Sequence, residues 1–475
     1  MVVYYQETRW HQLADNGEQM RRRDRWRQAS HRWTRMILIL GIIAMTTVMI
    51  APIASNSSAA ISDSGLRVIA MESDPAPAEL SGTYSKIDGA TVDDSGEIAF
   101  SASLSDSTVS SAILFKSGDD THVLLRSGEQ APDGGRYKKF GELDLSRFSW
   151  MGTEGVFLLF RAEMEGSSAP EGVFMWMPDG VRTIALAGGK SPRGSTYNSF
   201  AHLTLSATTT STGVGFSLAF VAEMQEGSKS IITYISVRTP MEALAIGDRL
   251  GEDQVTDFVI SQMGAVTLSC VADLRSSSND RRFREVISIL DDGAIIHGTM
   301  LREGARFDTV GKVKRILAPP AISFQTAFAA VQIKGGVSAL AIRDAVGNAG
   351  LFAKTGDTAP SLPGETFQNF NPPISNANYP TLGSRGIISA VRLSGGRSAL
   401  LAWLFKNTIP FEPESRLLLV EGDHLNTAQS PVFVAFSPVK LSNKGMLLLR
   451  GTVGEGDAAR DGLFVIDGLF DRQLQ

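Results

Sequence analysis

The chain has 475 residues, 43% hydrophobic and 20% charged, an ordinary globular composition in which 46 glycines point to many tight turns. Its net charge of −5 hides an asymmetry, because residues 1–35 hold eight arginines against four acids and leave 37 basic and 46 acidic residues for the rest. That balance argues against nucleic acid as a partner, and a single cysteine, Cys270, excludes an intrachain disulfide or a thiolate metal cluster.

Taken in chain order, residues 1–35 read as a basic cytoplasmic tail. Met36 to Ala54 then runs nineteen residues without a charge, long enough to cross a hydrocarbon core as a helix. Seven arginines lie between Met20 and Arg35, so the positive-inside rule keeps the N-terminus cytoplasmic and exports the body. Trp26 and Trp33 stand among these arginines as interfacial anchors or as aromatics of a disordered tail. A cleaved signal peptide is the alternative, with small residues at Ser58-Ala59-Ala60, but the apolar run and its leader are both long for one. Arg21-Arg22 lacks the context of a twin-arginine signal. Residues 55–66 are small and polar and read as a linker.

From residue 67 to 468 the chain repeats itself. Residues 330–340 read AVQIKGGVSAL and residues 390–400 read AVRLSGGRSAL, a shift of sixty. Phe160 to Met164 recurs as Phe220 to Met224 at the same shift. A glycine landmark, in several copies followed by an acid and a proline, occurs at Gly128-Glu129, Gly188-Gly189, Gly247-Asp248, Gly304, Gly356-Asp357 and Gly422-Asp423, with Ser73 to Pro77 as a possible first copy. After it comes an aromatic pair, Tyr137-x-x-Phe140, Tyr197-x-x-Phe200 and Phe367-x-x-Phe370. The spacing divides the body into about seven units, 67–122, 123–182, 183–242, 243–296, 297–350, 351–410 and 411–468, followed by a tail at 469–475. Within a unit the apolar runs are short and β-rich, and Pro178-Asp179-Gly180, Asp291-Asp292-Gly293 and Asp467-Gly468 supply hairpin turns. No helical periodicity persists after residue 54.

Four short strands fill most of a sixty-residue unit, and one such sheet cannot bury both faces alone. Packing neighbours around an axis solves this, so the expected fold is all-β, an about seven-bladed β-propeller preceded by one transmembrane helix, with the first and last units meeting. Tandem sandwiches would need longer units, and open solenoids usually shorter ones.

The repeats resemble a family of exported bacterial proteins with tandem Asn-x-x-Gly-x-x-x-Phe-x-Ala segments alternating with Gly-Asp-x-Ala-Pro. The first pattern shows at Asp93 to Ala102 and more loosely at Gly155 to Ala162, the second at Gly356 to Pro360. Asp93 replaces the Asn, and Cys270 stands where Phe is expected in the fourth unit. The resemblance implies a propeller outside the cytoplasm and supplies no catalytic residue.

Chemistry-bearing patterns are few. The six histidines are scattered, no Gly-x-Ser-x-Gly elbow marks a nucleophile, and Gly188-Gly189-Lys190-Ser191 lacks the first glycine of a phosphate loop, Ile184 standing in its place. Glu129, Asp248, Asp357 and Asp423 occupy equivalent repeat positions and are the candidate metal ligands, a carboxylate ring that suits calcium; turn chemistry, with the side chain capping backbone amides, is the competing and favoured explanation. No other cofactor is expected. The function read from the sequence is a membrane-tethered binding or scaffolding module for an extracytoplasmic protein or glycan. The alternative is a polysaccharide- or peptide-acting hydrolase or lyase with its site in the axial funnel, for which two carboxylates in a deep pocket would speak. A sensor signalling through residues 1–35 is a third, weaker reading, because that tail is too short for an effector domain.

Overall fold

The computed structural model describes residues 65–469, apart from 151–152, 211–212, 236–239, 261–266, 291–294, 297–300, 308–310, 318–320, 324–325, 345–348, 376–383, 407–412, 426–430 and 443. The expected membrane segment at 36–54, the basic tail before it and most of the linker lie outside the described residues. Among the described residues no helix is long and apolar enough to cross a membrane. The first strand starts at Gly65, inside the stretch expected as linker.

Seven antiparallel sheets form the body, each with a simple up-and-down strand order. Blade 1 consists of Thr83–Val92, Ile98–Ser105, Ser111–Ser117 and Asp120–Arg126. Blade 2 follows with Arg136–Trp150, Thr153–Glu165, Glu171–Met177 and Gly180–Leu186. Blade 3 has Tyr197–Thr210, Gly213–Met224, Lys229–Ile235 and Met241–Ala245. Blades 4, 5 and 6 begin their main hairpins at Asp253–Ile260, Gly311–Ile316 and Phe367–Phe370. Blade 7 takes Phe433–Leu441, Leu447–Val453 and Arg460–Asp467 from the C-terminal end and its fourth strand, Gly65–Met71, from the start of the body. Gly65 pairs with Asp467 and Met71 with Gly462, so the ring is closed by main-chain hydrogen bonds between its two ends.

The blades are therefore out of phase with the sequence units. A unit such as 123–182 holds three strands of blade 2 and most of the fourth strand's turn but begins on the last strand of blade 1. A meander of hairpins looks equally self-similar from any starting strand, and only the pairing of Gly65–Met71 with Arg460–Asp467 sets the phase.

Alternation along each strand sends side chains to both neighbouring blades. In the second strand of blade 2, Phe157 and Leu159 pack toward blade 3 while Leu158 and Phe160 pack toward blade 1. Seven apolar clusters result, one for every neighbouring pair including blade 7 with blade 1. Cys270 is buried in the cluster between blades 3 and 4, where desolvation pushes its thiol pKa up and leaves it an apolar filler.

The glycine landmark recurs at all seven junctions. The N–H of Gly128, Gly188, Gly247, Gly304, Gly356 and Gly422 donates to the carbonyl of Tyr137, Tyr197, Val255, Val313, Phe367 and Phe433, and Ser73 does the same to Tyr84. The seven landmark residues have φ between 68° and 98°, which favours glycine and makes Ser73 the exception. The residue that accepts from the landmark opens the first strand of the next blade and is buried in every blade. In blades 2, 3 and 6 it pairs with the second aromatic of the motif at ring separations of 5.3, 5.4 and 5.4 Å. The landmark turns share one rim with the loops between second and third strands; the other hairpins form the opposite rim.

Candidate functional site

The first strands of blades 7, 1, 2 and 3 touch in succession and line the axis. Each is bulged a few residues after its opening aromatic, as at Phe140/Leu143 and Ala201/Thr204, and His202 takes φ 53° there. A bulge frees main-chain groups, and the preceding blade captures them. Arg161 Nη1 donates to Phe200 O (3.1 Å) while Glu171 Oε1 accepts from Phe200 N–H (3.0 Å). Lys229 Nζ to Phe258 O, Arg284 Nη1 to Ile316 O and Arg450 Nη2 to Asp88 O repeat the first half of this device.

On the axis, an open cavity of about 740 Å³ is bounded by the first strands of blades 7, 1, 2 and 3, by Arg161, Glu163, Glu171 and Arg450 from the strands behind them, and by Ile260 from blade 4. Its wall carries Asp88, Glu142, Asp144, Arg161, Lys440 and Arg450 among its charged groups. Thr91, Asp144, Thr204 and Lys440 hold corresponding positions, seven residues after the opening aromatic of blades 1, 2, 3 and 7. Three of them form one network. Lys440 Nζ donates to Asp144 Oδ1 (2.5 Å), Thr91 Oγ1 (3.1 Å) and Leu145 O (3.1 Å), which uses all three of its hydrogens. Asp144 also accepts from Thr91 Oγ1, Leu145 N–H and, through Oδ2, Leu205 N–H at 2.7 Å. The side chains of Lys440 and Asp144 are 13% and 8% exposed, so the pair ties blade 7 to blade 2 across blade 1 in a largely dry setting.

Glu142, two residues before Asp144 on the same strand, spans the next gap. Its Oε2 accepts from His202 N–H (2.8 Å) and its Oε1 from Leu203 N–H (3.1 Å). Burial raises the Glu142 pKa, outweighing the opposing pull of His202, those N–H bonds and Arg161. Asp88 accepts from Ser103 Oγ (2.6 Å) and faces Lys86 and Lys139 at 3.4 and 3.6 Å. Desolvation likewise raises the Glu171 pKa beside Arg161. The wall's charges are thus matched against each other or against blade backbone, and the cavity presents fixed donors and acceptors with little net charge.

Comparison with known proteins gives a partial match. Residues 13–232 match a family of unknown function, DUF7453. That stretch ends within blade 3. No curated protein matches the chain. Among solved structures, a fucose-specific lectin from Aleuria aurantia is similar at 13% identity over 70% of this chain and 95% of that one, with a TM-score of 0.33. BP39L lectin from Burkholderia pseudomallei is similar at 10% identity over 82% and 99%, TM-score 0.37. The WD40 domain of SCAP from fission yeast is similar at 9% identity over 87% and 90%, TM-score 0.38. At such identities and scores none of them bears on what this chain binds.

The candidate carboxylates from the sequence lie elsewhere, one to a landmark turn. Asp248 Oδ2 accepts from Ala245 N–H (2.9 Å), Asp357 Oδ2 from Lys354 N–H (2.9 Å) and Asp423 Oδ2 from Val420 N–H (2.8 Å). Asp74, at the same place in the first copy, accepts from Met71 N–H at 3.2 Å. Glu129 sits in the same turn, its N–H bonded to Arg126 O, and Asp248 is further held by Arg193 at 2.7 Å. Among the described residues no group of three or more His, Cys, Asp or Glu is arranged to hold a metal ion. The axial groups Glu142, Asp144 and Lys440 depart from the repeat, so the recurring sequence pattern does not mark them.

Proposed function

We propose that the chain is a membrane-tethered, extracytoplasmic β-propeller that works as a binding module, with the axial cavity as the seat of a neutral glycan segment. The tether in this reading is the segment 36–54 in the bacterial cytoplasmic membrane, N-terminus inside and body outside. The charge asymmetry around that segment supports the topology, as does the resemblance to exported bacterial repeat proteins. The observation that carries the binding role is the self-matched wall of the cavity: Asp144 with Lys440, Asp88 with Lys86 and Lys139, and Glu142 on two backbone amides. A polyanion or polycation gains no net field there, whereas hydroxyl groups meet donors and acceptors already held in place. A bound protein segment is the other occupant the same wall admits.

Titration calorimetry of the full chain against neutral tetrasaccharides of glucose and N-acetylglucosamine tests this, with Glu142→Ala as the cavity variant. Saturable heat with at least one sugar, lost in the variant, is expected. Absence of saturation at millimolar sugar across the panel, or binding indifferent to the variant, would sink the reading. Proximity labelling from the exported side separately tests the topology.

A hydrolase or lyase is the second reading, favoured by one observation: Glu142 faces the cavity with a raised pKa, as a general acid requires, and Asp144 follows two residues later on the strand. Asp144 is the weaker half, its oxygens already holding Lys440, Thr91 and two amides. New reducing ends on incubation with oligosaccharide, abolished by Glu142→Gln, would move the assignment to this reading.

A further inference from the structure

We propose that the landmark rim of blades 4 and 5 is a docking surface for an acidic polysaccharide chain. Residues 275–315 hold nine basic against six acidic residues in a chain otherwise acidic beyond the tail. The fold concentrates these cations on one edge. Arg275 and Arg282 are strand partners at the loop between the second and third strands of blade 4. Arg281 lies beside the landmark Gly304, its Nη2 3.4 Å from where a β-carbon would stand there. Arg306 follows that glycine and pairs with Lys312 on the opening strand of blade 5, and the Lys312 carbonyl accepts from Lys334 N–H. All six side chains belong to exposed residues.

The described acids of this stretch are engaged, as is Asp253 beside it. Asp280 is bonded to Arg275, Asp253 and Glu285 to Arg302, and the Glu303 carboxylate accepts the N–H groups of Arg284 and Ile316. Among the described residues, Arg281, Arg282, Arg306, Lys312 and Lys334 have no carboxylate within ion-pair distance. Five such cations on neighbouring turns of one rim attract a polyanion, and their reach is set by the Debye length of about 8–10 Å at physiological salt. An anionic lipid surface carries the same charge, so vesicles of phosphatidylglycerol join the comparison ligands below, and tighter binding of the vesicles than of polygalacturonate overturns the proposal. Choosing polysaccharide over nucleic acid rests on the extracytoplasmic reading above; the patch itself does not.

Full chain is titrated with polygalacturonate at low salt, with uncharged dextran and a DNA duplex as comparison polymers. The patch variant is Arg281→Ser/Arg306→Ser/Lys312→Ser. The control, Arg67→Ser/Arg182→Ser/Lys444→Ser, removes the same charge from the opposite rim. Polygalacturonate is expected to bind, to weaken roughly tenfold in the patch variant and by less than about twofold in the control, and to weaken as salt rises. Equal loss in both variants, no binding at low salt, or tighter binding of the DNA overturns the proposal. Glu142→Ala is expected to leave polygalacturonate binding unchanged, so a cavity that binds no sugar would count against the cavity alone.

Discussion

Replacing Lys440 by Met tests the idea that the axis is held by a charged clasp between non-adjacent blades. The substitution keeps most of the side-chain volume and removes the one ammonium bonded to Asp144, Thr91 and Leu145. Breaking a buried pair from one side costs about 3–5 kcal/mol. Asp144 keeps three other donors, Thr91 Oγ1 and the N–H groups of Leu145 and Leu205, so the lower end, about 3 kcal/mol, is expected. For a body of roughly 400 residues the unfolding entropy is about 0.8 kcal/mol/K, and the loss corresponds to a fall in Tm of about 4 °C. Asp144→Leu alone should cost at least as much, because it strands the ammonium. The double variant Lys440→Met/Asp144→Leu removes both charges but still deprives Thr91 Oγ1 and the N–H groups of Leu145 and Leu205 of their acceptor, so its loss should be no larger than that of Asp144→Leu alone, well short of the sum of the singles. Equilibrium urea unfolding of the four proteins gives the coupling. Single effects that simply add, leaving an interaction of less than about 0.5 kcal/mol, would show that the pair is not a unit and refute the clasp.

Three further outcomes follow from the same geometry. Because its folded pKa is raised, Glu142 favours the fold most fully when protonated, below the unfolded value of about 4.3, and stability should decline as pH climbs from there through the folded pKa; Glu142→Gln should flatten that part of the curve in pH-dependent melts. Gly89→Ala would set a β-carbon 2.5 Å from the carbonyl oxygen of Gly141 on the next blade, and a loss of about 2 kcal/mol in urea unfolding is expected. Asp357→Ala removes an acceptor from Lys354 N–H and should cost about 1 kcal/mol, with millimolar calcium leaving the parent's Tm unchanged; a calcium-dependent rise absent in the variant would instead make this carboxylate a ligand.

Repetition made the fold legible. The Tyr137/Phe140 and Tyr197/Phe200 pairs recur because every blade must open with a large apolar group at one packing point, and the landmark glycine recurs because every junction needs the same positive φ. The weaker copies are equally physical: Val255 with Phe258 and Val313 with Ile316 fill the same place with smaller groups. What repeats, however, is what holds blades together, and so Asp248, Asp357 and Asp423 prove to cap backbone in their turns. The axial cavity is written in the departures. At one inner-strand position the chain places Thr91, Asp144, Thr204 and Lys440, two threonines, an acid and a base. Their meeting depends on which inner-strand positions the closed ring brings face to face, and the repeat spacing does not carry that. Seven residues after the residue that opens each blade, only Asp144 and Lys440 carry a charge, and that is the signal the sequence holds for them.

The closing strand has a consequence for how the molecule is made. Gly65–Met71 is the first part of the ring to be synthesised, yet its partner, Arg460–Asp467, is almost the last. Until then blades 1 and 7 each keep an uncovered apolar side, Phe100 and Leu114 on one, Leu448 and Val465 on the other. A chain stopped short of Arg460 remains an open arc with a sticky end at each side, so quality control has an inherent mark by which to tell finished molecules from incomplete ones.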